Sequence, residues 1–350
     1  VGLKNLSVAN KLLYLINLVF VLLWFFTFLS PYINPQSFSL GGLLAIGYPI
    51  LMLAHLLFIL YWVVRFNKAI YLSFSVLILS YFFSVPVFQS KSKFKALAQD
   101  NSFSIMSFNT QLSYFSGGQK EEVQTHQSKI IHFLNQENTD VLCLQEARKG
   151  MASNLNHPYK AVFGYSQIYS KYEIISAKEI MFNESSTNNS CYADLLIHRD
   201  TIRIYNLHLE SLHLGNDDYR LLKEWDEEPI EEQLQDKTQK LSNKISKASN
   251  KRVSQVEKIM KSINSSPYQT LICGDFNDVP QSYIYRELNK GHKDAFLDSG
   301  KGFGATYRQL IFPFRIDFIL VNNLWSSYNF KVLEKNLSDH QAIRCDIEFN

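Results

Sequence analysis

The densest chemistry in the chain lies in two short stretches, Gly274-Asp275-Phe276-Asn277-Asp278 and Ser338-Asp339-His340. Each adjoins an apolar run of strand type: Leu271-Ile272-Cys273 leads into the first, and residues 342–349 follow the second. Four other places repeat the pattern. Asn109 ends the alternating run 104–108, and Gln145-Glu146 ends the apolar run 141–144. His208 follows 202–205 through Asn206-Leu207, and Asp317 lies inside the apolar run 315–320, where a buried carboxylate is costly unless paired, hydrogen-bonded or bound to metal. Singly, each has an ordinary explanation. Asn109 serves as a turn amide, Glu146 as a surface acid, His208 as a satisfied core histidine, Asp317 as the ion-pair partner of Arg315, and 274–280 as a turn. Six coincidences on one chain point instead to a site. Two His, three Asp, one Glu and two Asn are not the nitrogen- and sulfur-rich set of a zinc centre. Oxygen-rich donors suit a hard cation, Mg2+ or Mn2+, which keeps waters and meets a substrate phosphate. Phosphoester hydrolysis needs charge neutralised on the phosphoryl oxygens, a positioned water and help for the leaving oxygen.

These residues need strands to position them. The runs 104–108, 141–144, 195–197, 202–205, 269–273, 316–321 and 342–349 read as strands, with 195–205 a hairpin turning at 198–201. Helical spacing occupies 129–135, and the polar stretch 216–262, including Asp226-Glu227-Glu228, contains an exposed helix from about 237 to 263. Arg252 and Gln255 on it either face the site or lie on a surface helix, the second being the expected reading. Interleaved strands and helices indicate an α/β domain of about 250 residues. Asp275 and Asn277, two apart, point to one side of an extended segment, with Phe276 turned into packing and Asp278 left to the turn. The four cysteines form no metal or disulfide framework and read as packing.

The N-terminal part is different in kind. Between Leu12 and Val64 there is no Asp, Glu, Lys or Arg. Three apolar spans, about 12–29, 40–64 and 69–88, each approach the roughly 20 residues that cross a bilayer. The expected organisation is a three-helix transmembrane anchor over 1–90, a solvated linker over 91–102 and a catalytic domain over 103–350. Residues 1–100 hold seven basic residues and one acid; the totals of 35 and 32 therefore leave 28 basic against 31 acidic beyond residue 100, about −3. Lys4, Lys11, Arg65 and Lys68 at one end of the spans predict a multi-pass protein with its large domain on the non-cytoplasmic side.

Phe-Asn-Thr-Gln at 108–111, Leu-Gln-Glu at 144–146, Asn-Leu-His-Leu at 206–209, Gly-Asp-Phe-Asn-Asp at 274–278, Arg-Ile-Asp-Phe-Ile-Leu at 315–320 and Ser-Asp-His at 338–340 resemble the ordered motifs of the endonuclease/exonuclease/phosphatase superfamily. The resemblance spans about 104–349. It implies a four-layer α/β sandwich, two packed mixed β-sheets flanked by helices, with the site at one end of the sheets. Carried over by position, it makes Glu146 the principal metal ligand, with Asn109 and Asp339 beside it, for Mg2+ or Mn2+. Asp275 orients or deprotonates the attacking water. Asn277 holds a phosphate oxygen, as Asn109 and His208 also contact substrate. His340, steered by Asp317, meets the phosphate as general base or transition-state stabiliser, and His208 assists a phosphoryl oxygen or the leaving group. Gln111 stands where some nucleases of the family have an acid, and Tyr307 lies in a loop that borders the site or packs in the core.

The expected activity is hydrolysis of a phosphate ester. A tether to the bilayer and a slightly acidic catalytic part favour a lipid or small phosphodiester over duplex DNA, in the manner of a phospholipase C or sphingomyelinase. The alternative is a membrane-tethered endo- or exonuclease. A catalytically inactive membrane-bound binding module fits less well, because Glu146, Asp275, Asn277, Asp339 and His340 are all intact. The lipid bilayer and the phosphate ester are the expected partners, and no protein partner is predicted.

Overall fold

A computed structural model describes residues 6–38, 40–96, 99–111, 120–148, 150–182, 186, 188–212, 231–309 and 312–349. Asp226-Glu227-Glu228 and Lys4 lie outside the described residues. Two six-stranded sheets form the centre. The first has the order β11-β12-β1-β2-β4-β3 and the second β5-β6-β7-β8-β10-β9. The strands of the first are β1 (Ser102–Asn109), β2 (Val141–Gln145), β3 (Tyr159–Phe163), β4 (Ser166–Ser170), β11 (Trp325–Leu333) and β12 (Ala342–Phe349). Those of the second are β5 (Glu173–Ile180), β6 (Ser190–Ile197), β7 (Asp200–His208), β8 (Gln269–Asp275), β9 (His292–Asp294) and β10 (Asp317–Asn322). Both sheets are mixed, since β1–β2 and β7–β8 run parallel among antiparallel neighbours.

Period-two alternation explains why so many strands are apolar on both faces. Ile105 and Cys143 from one sheet meet Leu195, Ile204 and Cys273 from the other in a shared core. Their neighbours Met106, Leu142 and Leu144 point the opposite way, beneath α4 (Lys120–Glu137). On the far side, Tyr205, Leu207 and Ile272 pack under α5 (Glu231–Asn264) and α6 (Tyr283–Leu288). The order is therefore helix, sheet, sheet, helix. A short α7 (Ala295–Ser299) follows β9. All four cysteines are buried and free, as their packing role requires.

One polar seam crosses the apolar interior. Gln145 Nε2 donates to Ser107 Oγ at 3.1 Å and to Asn206 Oδ1 at 2.6 Å, and Asn206 Nδ2 donates to the carbonyls of Leu144 and Gln167 at 2.9 and 3.0 Å. Asn206 belongs to the second sheet and every partner to the first. Both amides are fully buried, so the bonds act in a low-dielectric interior with no water to replace them.

The N-terminal residues form three helices, α1 (Val8–Leu29), α2 (Gly41–Val64) and α3 (Ile70–Phe83). Two helical stretches, Val8–Tyr32 and Gly41–Val64, are long and apolar enough to cross a membrane by length and composition. The third expected span is corrected. α3 has 14 residues, about 21 Å at 1.5 Å per residue, short of the ~30 Å of a hydrocarbon core. It stops because Val85 precedes Pro86, which drives the chain into extended backbone. The extended segment belongs to the domain instead: the Val85 carbonyl accepts from Gln281 Nε2 at 3.0 Å, and Gln89 pairs with Gly302. Buried polar side chains tie the helices together, with Trp24 Nε1 donating to Ser80 at 2.8 Å and Ser73 Oγ to Asn17 at 2.8 Å.

The helices dock on the domain through the turn between α1 and α2. Ser30 Oγ donates to the Gln281 carbonyl at 2.9 Å, and Gln36 Nε2 reaches Ser254 Oγ on α5 at 3.1 Å. The stretch expected as a linker runs along the domain edge, where Lys95 Nζ lies 2.7 Å from Glu348 and its N–H donates to Asn329 at 3.0 Å.

Two stability predictions follow from these contacts. Asn206→Leu, similar in size, removes the seam and leaves Gln145 short of a partner. It is expected to lower unfolding stability by about 2–3 kcal/mol, read from the urea midpoint of the full chain. Asp140 accepts from the N–H and hydroxyl of Ser104, both at 2.8 Å, and lies 3.2 Å from Lys171 Nζ. Burial disfavours its charge, but these partners outweigh burial and hold the carboxyl below its ordinary value. The unfolded chain therefore takes up the proton more readily, so the stabilisation is full above about pH 4 and disappears as pH falls through the folded value. Asp140→Asn should cost about 1 kcal/mol at pH 7 after solvent screening, with the difference from the parent chain shrinking below pH 4.

Candidate active site

The parallel pairs explain why the motif residues meet. Parallel neighbours end on the same edge of a sheet, and each central pair carries its chemistry on its last residues. Asn109 closes β1 opposite Gln145, the last residue of β2, with Glu146 next; His208 closes β7 opposite Asp275, the last residue of β8. Two antiparallel strands start where those strands end. Asp317 opens β10 directly opposite Asp275, and His340 stands two residues before β12. Both sheets thus deliver side chains to one edge, above the Gln145–Asn206 seam.

Local backbone is bent to fit. Glu146 and Asn277 each have φ of +51°, a left-handed conformation unusual away from glycine. Gly274 has φ of +135°, and a Cβ there would stand 2.0 Å from the Leu207 carbonyl oxygen. No other residue allows β7 and β8 to approach so closely.

The side chains form a continuous cluster. Asn109 Nδ2 donates to Asp275 Oδ2 at 3.0 Å and to Glu146 Oε1 at 3.3 Å. His208 Nε2 lies 3.6 Å from Glu146 and 4.0 Å from Asp275. His340 Nδ1 stands 2.9 Å from Asp317 Oδ2, and its Nε2 is 3.6 Å from Asp275. Asn277 is held by its N–H, which donates to Asp275 at 2.8 Å, and by its amide, which donates to the Leu209 carbonyl at 3.0 Å. Asp275, Asp317, His208, His340 and Asn109 are all buried, whereas the Glu146 side chain is 26% exposed. The floor is closed and the rim is open at Glu146 and Asp339.

Electrostatics follow the geometry. Burial disfavours the His340 imidazolium, but Asp317 and Asp275 outweigh burial and raise it to about 10, so the ring is a cation at neutral pH. Burial pushes the Asp275 carboxyl up and Asp317 adds to this, opposed by His340, Asn109 and the Asn277 N–H. Asp339 is raised by burial and by the nearby Glu146 charge.

Arg315 pairs with Asp294 at 2.5 Å, and Asp317 lies beside His340, the neighbour that the resemblance implied. Other placements add to or differ from expectation. Asp278 lies in the bend after β8, where its carboxylate accepts from the Val279 N–H at 2.9 Å, and it is buried 2.7 Å from the Arg252 guanidinium, which also donates to the Asn277 carbonyl. Arg252 and Gln255 are buried beneath the site, where Gln255 Oε1 accepts from the Glu210 N–H at 2.9 Å; the surface assignment of both is overturned. The Tyr307 ring lies tilted against that of His340, with centroids 5.1 Å apart, and Thr306 Oγ1 accepts from the Asp317 N–H at 3.2 Å. Gln111 Oε1 accepts from the Asp339 N–H at 3.1 Å, tying the rim to β1.

Asn188 escaped the sequence analysis. Its Nδ2 lies 3.2 Å from His208 Nε2 and donates to the Leu209 carbonyl at 2.6 Å. Nothing in the polar run Ser-Ser-Thr-Asn-Asn-Ser at 185–190 distinguishes that amide.

Two groups of residues offer a cation their ligands. Asp275, Asp317 and His340 have ligand atoms within 4.8 Å of one another. Their shared hydrogen bond and the imidazolium proton already compensate the charge there, and the full burial leaves no room for the waters that Mg2+ keeps. Glu146, Asn109 and Asp339 fit better. All three offer oxygen donors, Glu146 and Asp339 sit at the open rim with Asn109 buried beside them, and the mutual repulsion of Glu146 and Asp339 is what a divalent ion would relieve. Asn109 Oδ1, which accepts from the Gln111 N–H at 3.1 Å, retains a second lone pair.

Comparison with known proteins agrees with this architecture. A structure of a functionally unknown conserved protein from Enterococcus faecalis V583 aligns at 14% identity over 71% of this chain and 100% of that chain, with a TM-score of 0.51. The endonuclease/exonuclease/phosphatase from Bacteroides vulgatus aligns at 15% identity over 71% and 99%, with a TM-score of 0.50. SmcL aligns at 17% identity over 71% and 99%, also with a TM-score of 0.50. At such identities the likeness concerns the fold. No curated protein matched the chain. Residues 10–86 match a domain of unknown function, DUF8431. Residues 106–340, which contain every residue of the cluster, match the Endonuclease/Exonuclease/phosphatase family, and the chain belongs to that family.

Proposed function

We propose that the chain is a membrane-anchored, divalent-metal-dependent phosphoesterase that hydrolyses the head-group ester of a phospholipid or sphingolipid. The observation that carries this is the meeting of Glu146, Asn109, Asp275, His208 and the His340–Asp317 pair at one sheet edge, beside the helical hairpin. Gln281, which bonds the hairpin at Ser30, is four residues beyond Asn277, a span of at most about 14 Å. A head group at the foot of the helices is therefore within reach of the site. The outer faces of α1 and α2 support the membrane part: Leu12, Leu15, Leu57 and Leu60 are each more than half exposed, an apolar surface that needs lipid to cover it. The domain caps the helix ends opposite Lys11, Arg65 and Lys68, so the positive-inside tendency favours a non-cytoplasmic catalytic domain.

Glu146, Asn109 and Asp339 would hold Mg2+ or Mn2+, which supplies Lewis-acid stabilisation of the phosphoryl oxygens. Asp275, raised by burial, orients the attacking water and accepts its proton. Asn277, fixed in its left-handed conformation by Asp275 and Leu209, presents its amide to a phosphate oxygen. The His340 cation, steered by Asp317, stabilises charge growing on the phosphoryl group. His208, placed between Glu146 and Asn188, donates toward the leaving oxygen.

The test uses the full chain in neutral detergent with Mg2+, assayed on sphingomyelin, glycerophospholipids, phosphoinositides and single- and double-stranded DNA. Release of a phosphorylated head group, abolished by EDTA, is expected. Glu146→Gln should lower turnover by about 10²–10⁴-fold with unchanged thermal unfolding, and His340→Ala by a similar factor with a lower unfolding midpoint, because buried Asp275 and Asp317 lose the cation between them. Cleavage confined to DNA would sink the lipid assignment, and undiminished turnover in His340→Ala would sink the site. Protease accessibility of the large domain in sealed cells tests its side of the membrane.

A further inference from the structure

A second feature lies away from the catalytic cluster, where the helices meet the domain. A cavity of about 260 Å³ opens between the end of α1, the end of α3 and helix α6. Its chemistry is graded along the direction the helices run. Phe28, Tyr48 and Phe83 line the helical side, while Arg286 and Lys290 line the domain side. On its lining Tyr32 and Phe83 are 56% and 64% exposed, aromatic rings of the kind expected at the level of lipid head groups. The Arg286 guanidinium lies 4.7 Å over the Tyr32 ring, which holds it at that boundary. Arg286 and Lys290 share one carboxylate, Glu287, at 3.2 and 2.6 Å, so the trio carries a net positive charge. Asn289, between them on the cavity wall, has a buried Oδ1 with no hydrogen-bond partner.

We infer that this cavity binds an anionic phospholipid, its phosphate between Arg286 and Lys290 and its acyl chains along Phe28 and Phe83. The cations supply charge-assisted hydrogen bonds to the phosphate. At about 260 Å³ the cavity falls just below the range of sites for whole drug-sized ligands, which suits a head group whose chains remain in the bilayer. The site also has a lever on catalysis, because its wall includes Gln281, bonded to Ser30 and Val85 and four residues from Asn277. This inference rests on the membrane half of the proposed function, and it is independent of which ester the catalytic site cleaves.

The experiment takes the full chain in neutral detergent and follows thermal unfolding against added phosphatidylglycerol, phosphatidylcholine or free glycerophosphate. Saturable stabilisation by phosphatidylglycerol alone is expected. The double variant Arg286→Ala, Lys290→Ala should raise the half-saturating concentration about tenfold or more, and Glu146→Gln should leave it unchanged. Equal stabilisation by phosphatidylcholine, or a variant that responds like the parent, would overturn the site. An equal response to glycerophosphate would overturn the lipid as its source. Native mass spectrometry of the unaltered chain gives a variant-free answer: preferential retention of anionic lipid supports the site, and indifferent retention overturns it. A chain that stays monodisperse without detergent and leaves membranes in carbonate would overturn the membrane reading itself.

Discussion

The hydrogen bond from Gln145 to Asn206, 2.6 Å long and fully buried, is the constraint on which the site depends. Two sheets packed through apolar side chains alone can slide, because dispersion and area burial are weakly directional. An amide pair at the interface fixes the register of one sheet against the other, since misalignment would strand polar atoms without water. The seam lies one residue below Glu146 and two below His208, which come from different sheets. Their 3.6 Å separation is therefore set from beneath.

The same arrangement concentrates charge where charge is hardest to hold. Asp275, Asp317 and His340 are buried together, and Glu146 and Asp339 crowd the rim above them. The imidazolium compensates the floor, and the rim stays acidic. Glu146 and Asn277 add left-handed backbone to this, a strain of order 1–3 kcal/mol each in general. Such local violations are what a site needs and a stable core avoids. The surrounding apolar layers hold them in place.

The N-terminal helices and the α/β domain form a joined unit. Helix α5 touches the turn between α1 and α2 through Ser254 and the loop after β8 through Arg252, and the Gln281 segment does the same from the other side. Pro86 is the switch in chain direction that makes this possible. By ending α3 early it turns residues 84–89 into an extended strap on the domain.

The sequence by itself determined the participants. Asn109, Glu146, His208, Asp275, Asn277, Asp317 and His340 were legible because each directly adjoins or continues a strand-like run, and strand ends are local features of hydrophobic patterning. The apolar lengths of α1 and α2 were legible for the same reason, as was the sandwich once the ordered motifs were recognised. Tertiary structure decided the pairings. Asp317 lies two residues from Arg315, yet it pairs with His340, 23 positions away. Asp278 lies in the turn that its sequence suggested, but its pairing with Arg252 carried no local signal, nor did the approach of Asn188 to His208. Ion-pair and hydrogen-bond choice depends on distance through space and on desolvation, and both are set by how the layers stack. The length of α3 was decided partly in the same way: Pro86 disfavoured helix locally, and the bonds that hold the extended strap come from the domain.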